Sequence, residues 1–177
     1  MEIWEKPDIE PIRIKVENSL IQRAKIDIKK IEDNPKKITN DGWRGLVAEY
    51  ICSDLLKKAY PNDMEIEAQG ISDEKDWRFD IQMAGVKIDV KCSTGKYYTI
   101  CPMAANVKSL QCTTVYIGCK YLHNYKGHDV VEIYGSISRS KILECEEKHY
   151  HDKNHPFFEV HLNKMDTKIL RKLNSNI

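Results

Sequence analysis

Phe79-Asp80-Ile81-Gln82-Met83-Ala84-Gly85-Val86-Lys87-Ile88-Asp89-Val90-Lys91 is the stretch that decides the reading of this chain. It predicts two short apolar strands hinged at Ala84-Gly85. The first carries one carboxylate, and the second a carboxylate and a lysine two residues apart. Side chains alternate across a strand, so Asp89 and Lys91 project from one side of the sheet. A tight hairpin brings Asp80 back beside them. Two carboxylates and an ammonium gathered at one point suit a divalent metal and an attacking water.

An acidic residue two before a lysine is common in a chain that is 31% charged. The same spacing recurs at Asp27-Lys29, Asp73-Lys75, Glu146-Lys148 and Asp166-Lys168. Those four lie in polar or helical-looking segments and read as solvated charged faces. Asp89-Val90-Lys91 differs because Val86, Ile88 and Val90 alternate with the charges, the mark of a strand with one buried face. The competing reading is a charged outward face on an ordinary strand.

A third element lies upstream. Asn40-Asp41 followed by Trp43, Leu46, Val47, Tyr50 and Ile51 predicts a capped helix running to about Ala59, closed by Pro61. Gly45, Glu49, Cys52 and Leu56 fall at i, i+4, i+7 and i+11 on one stripe, small or apolar apart from Glu49. A buried carboxylate needs a partner or shifts its pKa. The plainer alternative is a flank glutamate paired with a surface lysine.

Taken together, these residues resemble the PD-(D/E)xK nuclease superfamily. Its restriction-endonuclease-like core is an α/β fold, a central mixed β-sheet flanked by helices in the order αβββαβ. Glu49 matches the acidic residue of the first helix, within Gly45-Leu46-Val47-Ala48-Glu49. Asp80 matches the single aspartate of the second strand, and Asp89-Val90-Lys91 the (D/E)xK of the third. Ser93-Thr94 after Lys91 is also typical. The resemblance covers about residues 41–137 and departs at Phe79, which stands where the superfamily name has proline.

The resemblance implies a nuclease that hydrolyses DNA phosphodiester bonds with Mg²⁺, Mn²⁺ being the substitute, and leaves a 5′-phosphate and a 3′-hydroxyl. Asp80, Asp89 and the Val90 backbone carbonyl are the implied ligands. Glu49 is expected to bind a second metal or to hydrogen-bond the attacking water. Free lysine titrates near 10.4, and adjacent carboxylates keep it protonated, so Lys91 is expected to orient water and stabilise charge. Arg78, Ser93, Lys96 and Tyr97 are candidate nucleic-acid contacts, since a cation beside aromatics suits phosphate and base. Tyrosines packed on the core are the ordinary alternative. Cutting both strands of a duplex calls for a two-fold homodimer. An inactive nucleic-acid-binding module of the same fold is the second reading. A third is an interaction protein built on the N-terminal helix and the cysteine and histidine segments.

Length and composition agree with one domain over 1–177, residues 1–38 forming an N-terminal helical extension. Apolar runs fall short of the ~20 residues of a membrane helix. The first residues lack a signal-peptide pattern, so a cytoplasmic location without membrane contact is expected. The net charge of +1 is low for a duplex-binding protein. Residues 64–100 are slightly acidic and 101–177 slightly basic, a modest electrostatic footprint.

Six cysteines raise the question of zinc. Cys92, Cys101, Cys112 and Cys119 contain no CxxC pair, and Cys145, His149, His151 and His155 lack the tight ligand pairs of structural sites, so no zinc is expected. Without a secretory signal, disulfides are not expected either.

Periodicity places the remaining elements. A helix is predicted over 16–33, strands over 64–69, 77–83, 86–92, 113–121 and 130–136, and a short helix within 102–111. Residues 70–76 read as a loop and 144–155 as a polar loop or irregular helix. A last strand is predicted over 157–161 and a helix over 165–173.

Overall fold

The computed structural model describes residues 5–31, 42–63, 67–68, 80–102, 113–145, 147–148 and 157–175. Strand β1 (Ile12–Lys15) leads into helix α1 (Asn18–Ile31), whose Ile21 and Ala24 face inward, and α2 (Gly42–Ala59) follows. Lys57 and Lys58 in the last turn of α2 complement the helix dipole. The run Leu46–Ala48 and Tyr50–Ser53 is buried without a gap, so α2 is enclosed on most sides. Part of that enclosure is α1: the Tyr50 hydroxyl donates to Asp27 Oδ2 at 2.8 Å. Asp27 is therefore buried between helices, which corrects its reading as part of a solvated face.

Strands β2 (Glu67–Ala68), β3 (Ile81–Met83) and β4 (Val86–Ser93) form an antiparallel meander. Ala84 and Gly85 have φ of 45° and 79°. Two successive left-handed residues give the tight turn whose twist matches a hairpin, and glycine takes the second at little steric cost. After the short β5 (Thr99–Ile100), β6 (Val115–Tyr125) runs parallel to β4, with Lys91 beside Gly118. Strand β7 (His128–Ser138) returns antiparallel to β6, and β1 pairs with its far edge. The sheet is thus six-stranded and mixed, in the order β1-β7-β6-β4-β3-β2.

The C-terminal part begins with α3 (Arg139–Leu143), capped by the Ser138 hydroxyl. Strand β8 (Glu147–Lys148) pairs with β9 (Phe157–Phe158), and β10 (Val160–His161) pairs with β5. A short 3₁₀ turn, Leu162–Lys164, precedes α4 (Lys168–Asn174). One face of the sheet, with Ile88, Val90, Ile117, Cys119 and Ile133, packs on α1, α2 and α4. The other, with Tyr116, Tyr134 and Ile137, is covered by Ile100, Phe158, Val160, Leu162 and Met165. At Gly135 (φ 135°) an added Cβ would strike the Asp166 carbonyl, and glycine lets that segment bridge to Ser136.

Several expectations change. Strand β4 is buried on both faces, Asp89 included, whereas one buried face was expected. The N-terminal extension contributes a strand as well as a helix. Strands β6 and β7 extend beyond 113–121 and 130–136, because the polar ends of their hairpin project past the rest of the sheet. The strand expected over 157–161 breaks at Glu159 into two that join different sheets, and the loop over 144–155 contains β8. The last helix starts at Lys168, after Thr167 at the N-cap, and the Asp166 carboxylate accepts from the Lys168 N–H just before it. The loop at 70–76 lies outside the described residues, as does the helix expected within 102–111 apart from Pro102. No helix among the described residues is long and apolar enough to cross a membrane.

Candidate active site

The hairpin register sets the geometry. Met83 pairs with Val86 and Ile81 with Ile88, and the Asp80 N–H donates to the Ile88 carbonyl at 2.9 Å. One step further along the ladder, Asp80 Oδ2 accepts from the Val90 N–H at 2.6 Å. The aspartate side chain thus takes the acceptor position where β3 begins. Lys87 bonds through its carbonyl to the β6 side, at Thr114. Backbone groups of successive residues point to opposite edges, and the N–H and carbonyl of one residue to the same edge, so the Val90 carbonyl points with its N–H toward Asp80.

Asp89 and Lys91 share a side of β4, as their spacing predicts. Asp89 is 3% exposed, and its Oδ1 lies 2.8 Å from Lys91 Nζ. The contact is an ion pair by distance, but no donor is aligned on Asp89 Oδ1 as a hydrogen bond. Glu49, half-buried on α2, lies within electrostatic range of Asp80, Asp89 and Lys91. The four candidate catalytic residues are therefore brought together.

Their protonation records the crowding. Burial, and then the charge of Asp89, push the Glu49 carboxyl from 4.5 up to about 7, against the pull of Lys91. Burial also raises Asp80 well above the carboxylate range, and the charges of Glu49 and then Asp89 add to it. Burial alone would depress the Lys91 ammonium, yet Asp89, Asp80 and Glu49 outweigh it and hold Lys91 above the usual lysine value. Three carboxyls facing one ammonium cannot all be ionised without cost, so protons are retained on Asp80 and Glu49, and a divalent cation would take the place of those protons.

The donor set, carboxylates and a backbone carbonyl aimed at the same edge of β4, is the chemistry that suits a hard cation. Among the described residues, no three His, Cys, Asp or Glu side chains are gathered in ligating geometry. Asp89 is turned onto Lys91 and Asp80 onto the Val90 N–H, so both carboxyls are held by internal partners.

The candidate nucleic-acid contacts divide. Ser93 is buried and its hydroxyl donates to the Tyr97 carbonyl at 2.8 Å, so it braces the following loop and does not face solvent. Lys96 and Tyr97 are exposed, with the Lys96 ammonium 5.4 Å from the Tyr97 ring centre. Arg78 lies outside the described residues. Lys120 was missed. It is 1% exposed, donates to the Gly95 carbonyl at 2.9 Å, and sits 4.0 Å from the centre of the Tyr98 ring. Its signal was a lone charge within the apolar run 115–121.

Among the described cysteines, Cys92 follows Lys91 on β4 and lies within electrostatic range of Glu49. Cys52 and Cys119 are buried in the main core with sulfurs 3.7 Å apart, and Cys101 is exposed. Burial pushes the Cys92 thiol up to about 12. Cys112, His149, His151 and His155 lie outside the described residues. Comparison with protein-family models, with curated proteins and with solved structures finds no match to this chain.

Proposed function

We propose that the chain is a Mg²⁺-dependent nuclease of the PD-(D/E)xK type that hydrolyses DNA phosphodiester bonds as an endonuclease. The observation that carries this reading is the proximity of Glu49 on α2, Asp80 at the start of β3, and Asp89 and Lys91 on β4, with two of the carboxyls raised by burial and by one another. The topology supports it: a helix, an antiparallel meander, then a strand parallel to the third strand of the meander. That is part of the order the superfamily resemblance implies, its second helix falling outside the described residues.

Asp80, Asp89 and the Val90 carbonyl would hold Mg²⁺, or Mn²⁺, which supplies Lewis acidity toward phosphate and a more acidic water. Lys91, kept protonated by its neighbours, stabilises the negative charge that develops on phosphorus-bound oxygens. Glu49 hydrogen-bonds and orients the attacking water. Asp89 would have to turn from Lys91, and Asp80 from the Val90 N–H, to take up the cation. A two-fold homodimer would place two such sites on opposite strands.

Conversion of supercoiled plasmid to nicked and linear forms tests the reading, with wild type, Asp89→Ala and Lys91→Ala compared in Mg²⁺ and in EDTA. Cutting by the wild type in Mg²⁺ alone, lost in both variants, is expected. Cutting that persists in both variants removes the proposed site. A wild type that retains DNA in a salt-sensitive manner without cutting it is instead the binding module.

A further inference from the structure

A cavity of about 600 Å³ opens beyond the carboxylates, walled by Arg44, Gly95, Tyr121, His123, Tyr125 and Lys126. It does not contain the four candidate catalytic residues, but the elements that carry them lead to it. From Lys91, β4 runs to Ser93, roughly 7 Å along the strand, and the turn that follows it brings Thr94 and Gly95 to the cavity wall. From Glu49, one and a half turns of α2 lead back to Arg44, roughly 7 Å. The far wall is the β6–β7 hairpin. Ser93 pairs with Lys120, so residues 121–125 extend past the end of β4.

The lining is cationic and aromatic. The Arg44 guanidinium sits 5.1 Å from the Trp43 ring centre and 5.6 Å from that of Tyr121. The Lys126 ammonium sits 5.5 Å from the ring centre of Tyr125, which is 36% exposed. Asp129, the carboxylate on this hairpin, is drawn into the wall. It accepts from the Tyr121 hydroxyl at 2.6 Å and the Asn124 N–H at 2.8 Å, and its Oδ1 lies 2.9 Å from His123 Nδ1. Lys120 pins the Gly95 carbonyl and holds the opposite wall. The volume falls in the range of small-ligand clefts, too narrow for a duplex and sufficient for one nucleotide.

We propose that this cavity holds one unpaired nucleotide of a nucleic-acid strand, its phosphate against Arg44 and Lys126 and its base on the Tyr125 ring. This deepens the nuclease reading and rests on it for the identity of the strand as substrate. The site thereby favours single-stranded ends or junctions over uninterrupted duplex. The Lys126 ammonium beside exposed Tyr125, together with the Arg44 guanidinium on the same cavity wall, answers the two features that a single nucleotide offers, a charged phosphate and a π-face.

Fluorescence anisotropy of a labelled oligonucleotide tests it, using the full chain in EDTA with three probes: single-stranded, blunt duplex, and duplex with an unpaired overhang. The wild type is expected to bind the single strand and the overhang more tightly than the blunt duplex. Tyr125→Ala should weaken single-strand binding about fivefold or more. Lys126→Ala should reduce the slope of log K against log salt by about 0.7. Both side chains are exposed at the hairpin, and Arg44→Lys, which keeps the charge and loses the planar stack, provides a third variant. Unchanged affinity and slope in the hairpin variants, or no preference for unpaired DNA, would overturn the proposal. Plasmid cleavage in Mg²⁺ reports on the nuclease reading separately. Tyr125-dependent binding without cleavage removes the chemistry and keeps the cavity, whereas cleavage with binding indifferent to Tyr125 does the reverse.

Discussion

Replacing Glu49 with glutamine is expected to stabilise the metal-free protein at pH 8 while abolishing Mg²⁺-dependent cleavage. The Glu49 carboxyl is raised from 4.5 to about 7 by burial and by Asp89. Between those values the folded chain keeps a proton that the unfolded chain releases. The contribution to stability is therefore fully present below about 4.5 and is lost as pH rises through about 7. A shift of this size corresponds to roughly 3 kcal/mol of stability. Glu49→Gln has no charge to titrate, so the two proteins should be similar near pH 4 and diverge across that window. At pH 8 the variant should be more stable by roughly 1–3 kcal/mol. Glu49 is also the largest charge acting on Asp80, and relief of that carboxyl adds to the gain. Urea unfolding in EDTA at several pH values measures the gap. In Mg²⁺ the gap should narrow, because binding to the folded wild type stabilises it. A variant no more stable than wild type at pH 8, or a gap that does not grow with pH, would refute the reasoning.

Other perturbations separate site from scaffold. Lys91→Ala leaves Asp89 without its ion-pair partner and should cost about 3 kcal/mol in EDTA, with part of the loss restored by Mg²⁺ in a thermal melt. Tyr50→Phe removes the hydroxyl that donates to buried Asp27 and should lower the urea midpoint by an amount equivalent to about 1–2 kcal/mol, with plasmid cutting retained. Gly135→Ala forces a side chain into a positive-φ position against the Asp166 carbonyl and should lose more than about 2 kcal/mol in the same unfolding assay.

The hairpin was legible because its signals are local. Ala84-Gly85 marks the turn, and the period-two alternation of Ile88 and Val90 with Asp89 and Lys91 sets the faces of β4. From those two facts the meeting of Asp80 with Asp89 follows. Glu49 was legible as the one charge on an otherwise small or apolar stripe of α2. The second burial of β4 was not, because the cluster on that face of the sheet draws on residues such as Val160 and Leu162, which lie some seventy positions later in the chain. Ser93 was misread for a related reason: its partner is a backbone carbonyl in the loop that follows, which no side-chain pattern reveals. The ends of β6 and β7 were missed because His123, Asn124 and Tyr125 face solvent on a projecting hairpin, where alternation no longer reports a core. Strand β1 is four residues, Ile12-Arg13-Ile14-Lys15, and its assignment depends on pairing with β7 far along the chain.

Diffraction from crystals soaked in Mn²⁺, recorded for anomalous scattering, tests the metal site most directly. A peak bounded by Asp80, Asp89 and the Val90 carbonyl, absent from Asp89→Ala crystals, is expected. Crystals that diffract well, with Asp89 still turned onto Lys91 and no anomalous peak at high Mn²⁺, would contradict it.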